Sequence, residues 1–260
     1  MSLPEDLSKF DALVAIIARL RAPDGCPWDK EQTHQTLRGN LLSESYEVLE
    51  ALDEGEASKL SEELGDLLLQ IVLHAQIAKD NDEFEIGDVI KSITTKIIRR
   101  HPHIFGSRKV KDAEEVMHNW EALKKEEREE GKSMLEGVPK NMPALAYAYE
   151  ISRRAVRVGF EWENIDGVID KIQEEAKEIK EAGSREEKAQ EIGDLLFTMV
   201  NFARWEGVDP EAALREANQK FYRRFSAMED LCRKRGRELQ TLSSQEWNDL
   251  WEEAKKHENI

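Results

Sequence analysis

Long hydrophobic runs and an excess of positive charge are missing from this 260-residue chain and cysteine is scarce, and each of these narrows what it can be. The apolar stretch LVAIIARL near the start is too short to span a bilayer, and the opening MSLPEDLSKF carries no basic run. Neither an export signal nor a membrane segment is expected. Two cysteines, Cys26 and Cys232, cannot build a disulfide framework and have no metal-type spacing, which suits a reducing cytoplasm. The formal net charge of −16 argues against a nucleic-acid partner, because phosphate backbones are held mainly by Lys and Arg. No GxxxxGK[ST] loop occurs, so a P-loop motor or kinase is excluded, and no nucleophilic Ser or Cys constellation is visible.

Proline and glycine are also scarce, at 7 and 14, beside 40% hydrophobic and 35% charged residues. That composition suits a largely helical chain. Helical periodicity runs through residues 7–20, 32–54, 57–79, 86–100, 112–130, 143–157, 165–182, 184–205, 210–235 and 243–257, and no segment alternates as a half-buried strand does. The breaks fall at APDGCPWD, HPHIFG, EGVPKNMP and VGFEWENIDG, where Gly or Pro stops a helix. The expected fold is all-α, as two helical-bundle units over 1–106 and 143–260, with 107–142 as a joining helix and loop.

The two halves repeat each other. GCPWD, with Gly25 and Trp28, is echoed by GFEWE, with Gly159 and Trp162. SESYE, with Glu44 and Glu47, is echoed by EEAKE, with Glu175 and Glu178. ELGDLLLQIVLHA from Glu63 matches EIGDLLFTMVNFA from Glu191, and KIIRR from Lys96 matches KFYRR from Lys220.

Within SEELGDLLLQIVLHAQIA, Glu63, Asp66 and Gln70 form one stripe through an otherwise apolar helix, and the flanking leucines predict that Asp66 and its twin Asp194 are shielded from solvent. On the preceding helix Glu44 and Glu47 sit together at the edge of the apolar face. Lys171, Glu175 and Glu178 share the equivalent edge in the second half. A short connection between the two helices brings ExxE against ExxD, so four carboxylates converge. Like charges this close repel, and a hard divalent cation removes the cost. Oxygen-only ligands favour Mg²⁺, with Mn²⁺ as a possible substitute. Carboxylate di-iron bundles need an ExxH pair, and neither copy has one. The i,i+4 pairs Lys96/Arg100 and Lys220/Arg224 each present two cations on one face, which suits the remaining charge of a triphosphate or, alternatively, a basic helix end.

These residues together resemble the MazG family of nucleoside triphosphate pyrophosphohydrolases, whose signature is EExxE followed by ExxD. Glu174, Glu175, Glu178, Glu191 and Asp194 match it fully. The first half departs at one position, with Ser43 before Glu44, Glu47, Glu63 and Asp66. The resemblance extends over nearly the whole chain. It implies an all-α fold of two tandem MazG units, a homodimer, and hydrolysis of nucleoside triphosphates to monophosphate and pyrophosphate with Mg²⁺. It implies Glu175, Glu178, Glu191 and Asp194 as metal ligands in the second unit, with Glu44, Glu47, Glu63 and Asp66 in the first. It places Lys171, Lys188, Lys220, Arg224 and Trp251 at the nucleotide. Lys188 and Trp251 rest on the resemblance alone, and Trp251 reads equally as a core aromatic. Glu174 or Glu175 is positioned to accept the proton of the attacking water. A serine cannot act as a carboxylate ligand, so the second unit is expected to carry most of the catalysis. A narrower dUTP or damaged-nucleotide hydrolase and a non-catalytic nucleotide-sensing dimer are the alternatives.

Overall fold

The computed structural model describes residues 4–126 and 133–257, and those residues contain helices and no strand. They fall into two compact units, 1–128 and 129–260. The first holds α1 (Phe10–Arg21), α2 (Pro27–Glu31), α3 (Arg38–Glu54), α4 (Ala57–Asp80), α5 (Ile86–Arg100), α6 (Pro102–Phe105) and α7 (Ala113–Glu126). The second holds α8 (Ala144–Val156), α9 (Ile165–Glu181), α10 (Arg185–Trp205), α11 (Pro210–Lys234), a 3₁₀ turn (Leu239–Thr241) and α12 (Ser244–His257). The segment 107–142 is thus divided, with α7 in the first unit and residues 133–142 in the second; residues 127–132 lie outside the described chain. Among the described residues no helix is long and apolar enough to cross a membrane.

Each unit is organised round one helical hairpin, α3/α4 in the first and α9/α10 in the second. Gly55, at φ 73°, ends α3 in the left-handed conformation that a side chain would strain, and α4 starts two residues later. In the second unit Ser184 caps α10 by accepting from the Glu187 amide, while Glu187 reaches back to the Ser184 amide. Such short turns leave no choice but antiparallel packing, and this is what sets ExxE against ExxD.

In the first unit the core is Ile17, Leu37, Val72, Leu73 and Ile77, with Leu13, Val14, Leu20, Leu69 and Ile86 against it. In the second, one core is Met228, Cys232, Leu250 and Ala254 between α11 and α12, and Trp247 and Trp251 pack on it. The repeated Gly-x-x-Trp loops are tied to helix ends. Glu161 accepts from Arg204 (2.7 Å) and from the Trp205 indole (3.0 Å) at the end of α10. Arg21, at the end of α1, donates to the backbone carbonyls of Asp29 and Gln32 and pairs with Asp80 at 2.6 Å.

Three local expectations are corrected. The helix foreseen over 32–54 begins only at Arg38, because Gln32, Thr33 and Thr36 bond to one another and to nearby backbone, offering a turn in competition with the helix. The supposed breaks at CPWD and HPHIF contain the one-turn helices α2 and α6, each opened by a proline that supplies the first helical φ. Asp66 and Asp194 are exposed, because the apolar residues flanking them, Leu64 and Leu68 on α4 and Ile192 and Leu196 on α10, are themselves uncovered in the single chain.

In the turn before α3, His34 stacks on His74 of α4 with ring centroids 5.1 Å apart, and the two Nδ1 atoms face each other at 2.8 Å. Burial, and then the neighbouring His34, hold the His74 ring below the usual histidine range.

Candidate active site

In the second unit the α9/α10 hairpin gathers Glu175, Glu178 and Glu191, each offering a carboxylate oxygen within 4.8 Å of the others. Burial first, and then Glu178, Glu175 and Asp194, push the Glu191 carboxyl above the usual range, as repulsion in a partly desolvated group requires. Glu175 is the most enclosed, at 3% exposure, and its Oε2 has no hydrogen-bond partner. An acceptor left in that condition costs about 1–3 kcal/mol. Its Oε1 lies 2.8 Å from the Lys171 ammonium, which also donates to Glu174 at 2.8 Å. The bonds to Glu174, then to Glu175, hold the lysine proton more tightly than usual. Glu174 is exposed, and Asp194, though close enough to act on Glu191, stands outside the set of three.

The first unit assembles a different trio. Glu44, Glu63 and Asp66 come within the same 4.8 Å, and Glu47 does not belong to the set. Ser43, one turn earlier on α3, donates its hydroxyl hydrogen to Glu47 at 3.0 Å. The repeat register pairs Asn40 with Lys171 and Ser43 with Glu174, so the lysine–glutamate ion pair of the second unit is replaced by two neutral side chains. Burial raises the Glu44 carboxyl, with Glu47 and Asp66 adding to it and the Gln70 amide opposing. Burial also raises Glu63, followed by Glu47, Glu62 and Asp66.

Both clusters are made of oxygen donors only, and the second contains a buried oxygen with nothing bound to it. A hard divalent cation fits such a set.

The predicted phosphate-binding cations stand on other helices. Lys188 is exposed on α10, one turn before Glu191. Lys220 is exposed on α11, and Arg224 on the same face lies over the Trp251 ring of α12 at 5.8 Å. Trp251 also touches Phe221, at 5.6 Å between centroids, so it is both a core neighbour and a partner of the basic pair. In the first unit Lys96 is exposed on α5, and Arg100 lies over Trp120 of α7 at 5.4 Å.

Trp120 is the residue that sequence reasoning passed over. Arg100 meets Trp120 as Arg224 meets Trp251, so α7 stands to α5 as α12 stands to α11. The signal was present: WEALKKE from Trp120 matches WEEAKKH from Trp251 in register, inside a stretch read as a connection.

Comparison with known proteins supplies an independent line. Residues 32–105 match the MazG nucleotide pyrophosphohydrolase domain, and residues 155–221 match the phosphoribosyl-ATP pyrophosphohydrolase domain. The chain is 46% identical over 248 residues to the nucleoside triphosphate pyrophosphohydrolase/pyrophosphatase MazG of Thermotoga maritima, covering 95% of each chain. It is 40% identical over 260 residues to the nucleoside triphosphate pyrophosphohydrolase of Escherichia coli K12, covering 97% of this chain and 99% of that one. Among solved structures, a mazG-related protein from Thermotoga maritima aligns with 44% of this chain and 98% of its own, at 32% identity and a TM-score of 0.39.

Proposed function

The chain belongs to the MazG family of nucleoside triphosphate pyrophosphohydrolases, and from that premise we propose that its second unit is the main catalytic site and uses Mg²⁺, with Mn²⁺ able to substitute. The protein is a hydrolase that cleaves nucleoside triphosphates to a monophosphate and pyrophosphate. The observation that carries the placement is the trio Glu175, Glu178 and Glu191 with its buried, unpartnered Glu175 oxygen.

A divalent cation bound there supplies charge neutralisation on the phosphates and a more acidic water. Glu175, Glu178 and Glu191 would hold it, and Asp194, one turn beyond Glu191, would join from the exposed side. The attacking water forms a bond to the α-phosphorus while the bond from that phosphorus to the bridging oxygen breaks, and pyrophosphate leaves with the electron pair. The water's proton goes to a carboxylate. Glu174 suits this role because it is exposed and already hydrogen-bonded to Lys171, whereas Glu175 is buried in the donor set. Lys171, Lys188, Lys220 and Arg224 would neutralise the phosphate oxygens, and Trp251 offers a ring to the base.

The uncovered apolar faces of α4 and α10 support a homodimer that buries them. Light scattering at micromolar concentration is expected to give twice the chain mass.

The decisive test is pyrophosphate release from a panel of nucleoside triphosphates by the native protein and by Glu191→Gln, with and without Mg²⁺. Metal-dependent release by the native chain and its loss in the variant are expected. Equal release by both would remove the site, and the spread across the panel measures how narrow the substrate range is.

A further inference from the structure

We propose that the Trp162 indole and the hollow beside it, on the loop between α8 and α9, receive the base of the nucleotide in the second unit, as a wall additional to the Trp251 ring. Gly167, in the first turn of α9, has the Trp162 ring against it: a Cβ there would stand 3.1 Å from the indole Cδ1, close enough to shift the ring. At 100° per residue Gly167 shares one edge of α9 with Lys171, Glu174 and Glu178, the four falling within about 60°. The rise of the helix sets Gly167 about 6 Å from Lys171 and about 12 Å from Glu175 along the axis. The ring therefore stands on the edge that leads to the carboxylates, one turn before the lysine whose ammonium bonds Glu174 and Glu175. A nucleotide with its α-phosphate at the trio reaches that far with its sugar and base.

Trp162 lines a hollow of about 300 Å³ together with Gly159, Phe160 and Glu161, at the small end of the range for ligand pockets. Gly159, at φ 88°, turns the chain out of α8 in the left-handed conformation. Glu161 fixes the loop, with both of its oxygens taken by Arg204 and one shared with the Trp205 indole. The charge on this wall is thus already neutralised, so the hollow suits an uncharged flat ring and not a phosphate. Phe160, 78% exposed, adds a second aromatic face to the one Trp162 offers, and a base stacks on such faces whatever its identity. The first unit is built differently. The register that pairs Asn40 with Lys171 pairs Thr36 with Gly167, so a residue with a side chain stands at the seat of the ring, and Trp28 lies within α2 at 57% exposure.

This inference deepens the reading of the second unit as the catalytic site and rests on it. The full chain, native and Trp162→Leu, is assayed for its KM for ATP and for inhibition by inorganic tripolyphosphate, which carries phosphates without a base. KM is expected to rise about fivefold or more, as loss of one stacking contact requires, with tripolyphosphate inhibition unchanged and Trp162→Phe close to the native value. Phe160→Ala, at an exposed side chain, should move KM the same way and decides the matter if the leucine variant does not fold. An unchanged KM for ATP would overturn the proposal. So would tripolyphosphate inhibition that weakens in parallel, which would assign Trp162 to holding α9 in place. Absence of Mg²⁺-dependent pyrophosphate release by the native chain would instead remove the catalytic reading itself.

Discussion

The Lys171 ammonium lies 2.8 Å from Glu175 Oε1, so the most buried carboxylate of the second cluster is neutralised from its own helix, one turn away. Lysine and cation draw on the charge of the same carboxylate, the lysine at Oε1 and the cation at the unpartnered Oε2. Lys171→Met is therefore expected to tighten Mn²⁺ binding in the absence of nucleotide by a few-fold, the scale of a partly exposed ion pair of about 0.2–1 kcal/mol. The same change should lower pyrophosphate release, because the ammonium is then missing from the phosphates. Calorimetry and a steady-state assay on one preparation test both; a fall in each would assign Lys171 to holding the fold of the cluster.

Glu47 and Glu178 occupy the same place in the two repeats, yet Glu178 is in its trio, whereas Glu47 accepts from Ser43 and stands outside its own. Glu178→Ala is expected to reduce kcat by about a hundredfold, the order seen when one charge-stabilising group is removed from a reacting centre. Glu47→Ala should change it little. Matching losses would mean that both units turn over substrate.

Trp251 and Trp120 sit over equivalent arginines. If the second unit does the chemistry, Trp251→Leu should raise KM by about fivefold or more, the scale of one base–aromatic stacking contact of about 1–3 kcal/mol. Trp120→Leu should leave KM where it was. A KM insensitive to Trp251 would return that ring to a purely packing role.

The His34–His74 contact makes a pH prediction. Burial and His34 lower the His74 pKa from its ordinary 6.5, so the folded chain resists the proton that the unfolded chain accepts. The contribution to stability is complete above about pH 6.5 and is lost as the pH falls toward the lower folded value. Glu83, 3.8 Å from His34 Nε2, is the nearby carboxylate that tempers the repulsion. Tm is expected to drop between pH 7 and 5, and His74→Gln should flatten that slope. An unchanged slope in the variant would place the dependence elsewhere.

Much of this was legible in the chain. Among the described residues periodicity located the ten long helices within a few residues, apart from the start of α3, where threonine side chains outcompete the first turns. The repeat set which carboxylates could meet, because a two- or three-residue turn leaves the hairpin one way to pack. Periodicity is blind to what one side chain does with its neighbour. The bond from Ser43 to Glu47, the hold of Lys171 on Glu175 and the unpartnered Glu175 oxygen depend on rotamers and interhelical spacing. Asp66 and Asp194 misled for another reason: a leucine beside an acid predicts shielding only when something covers the leucine, and here the single chain leaves it bare.

The exchange of Lys171 and Glu174 for Asn40 and Ser43 removes one positive and one negative charge together. The two copies are therefore separated by a step that neither single substitution crosses well. Ser43→Glu alone adds an uncompensated anion to a cluster whose members already repel, and Asn40→Lys alone sets a cation on the Glu44 carboxylate with no second acid to share it. Only the pair restores the arrangement of the second unit, so the effects of the two changes are coupled rather than additive.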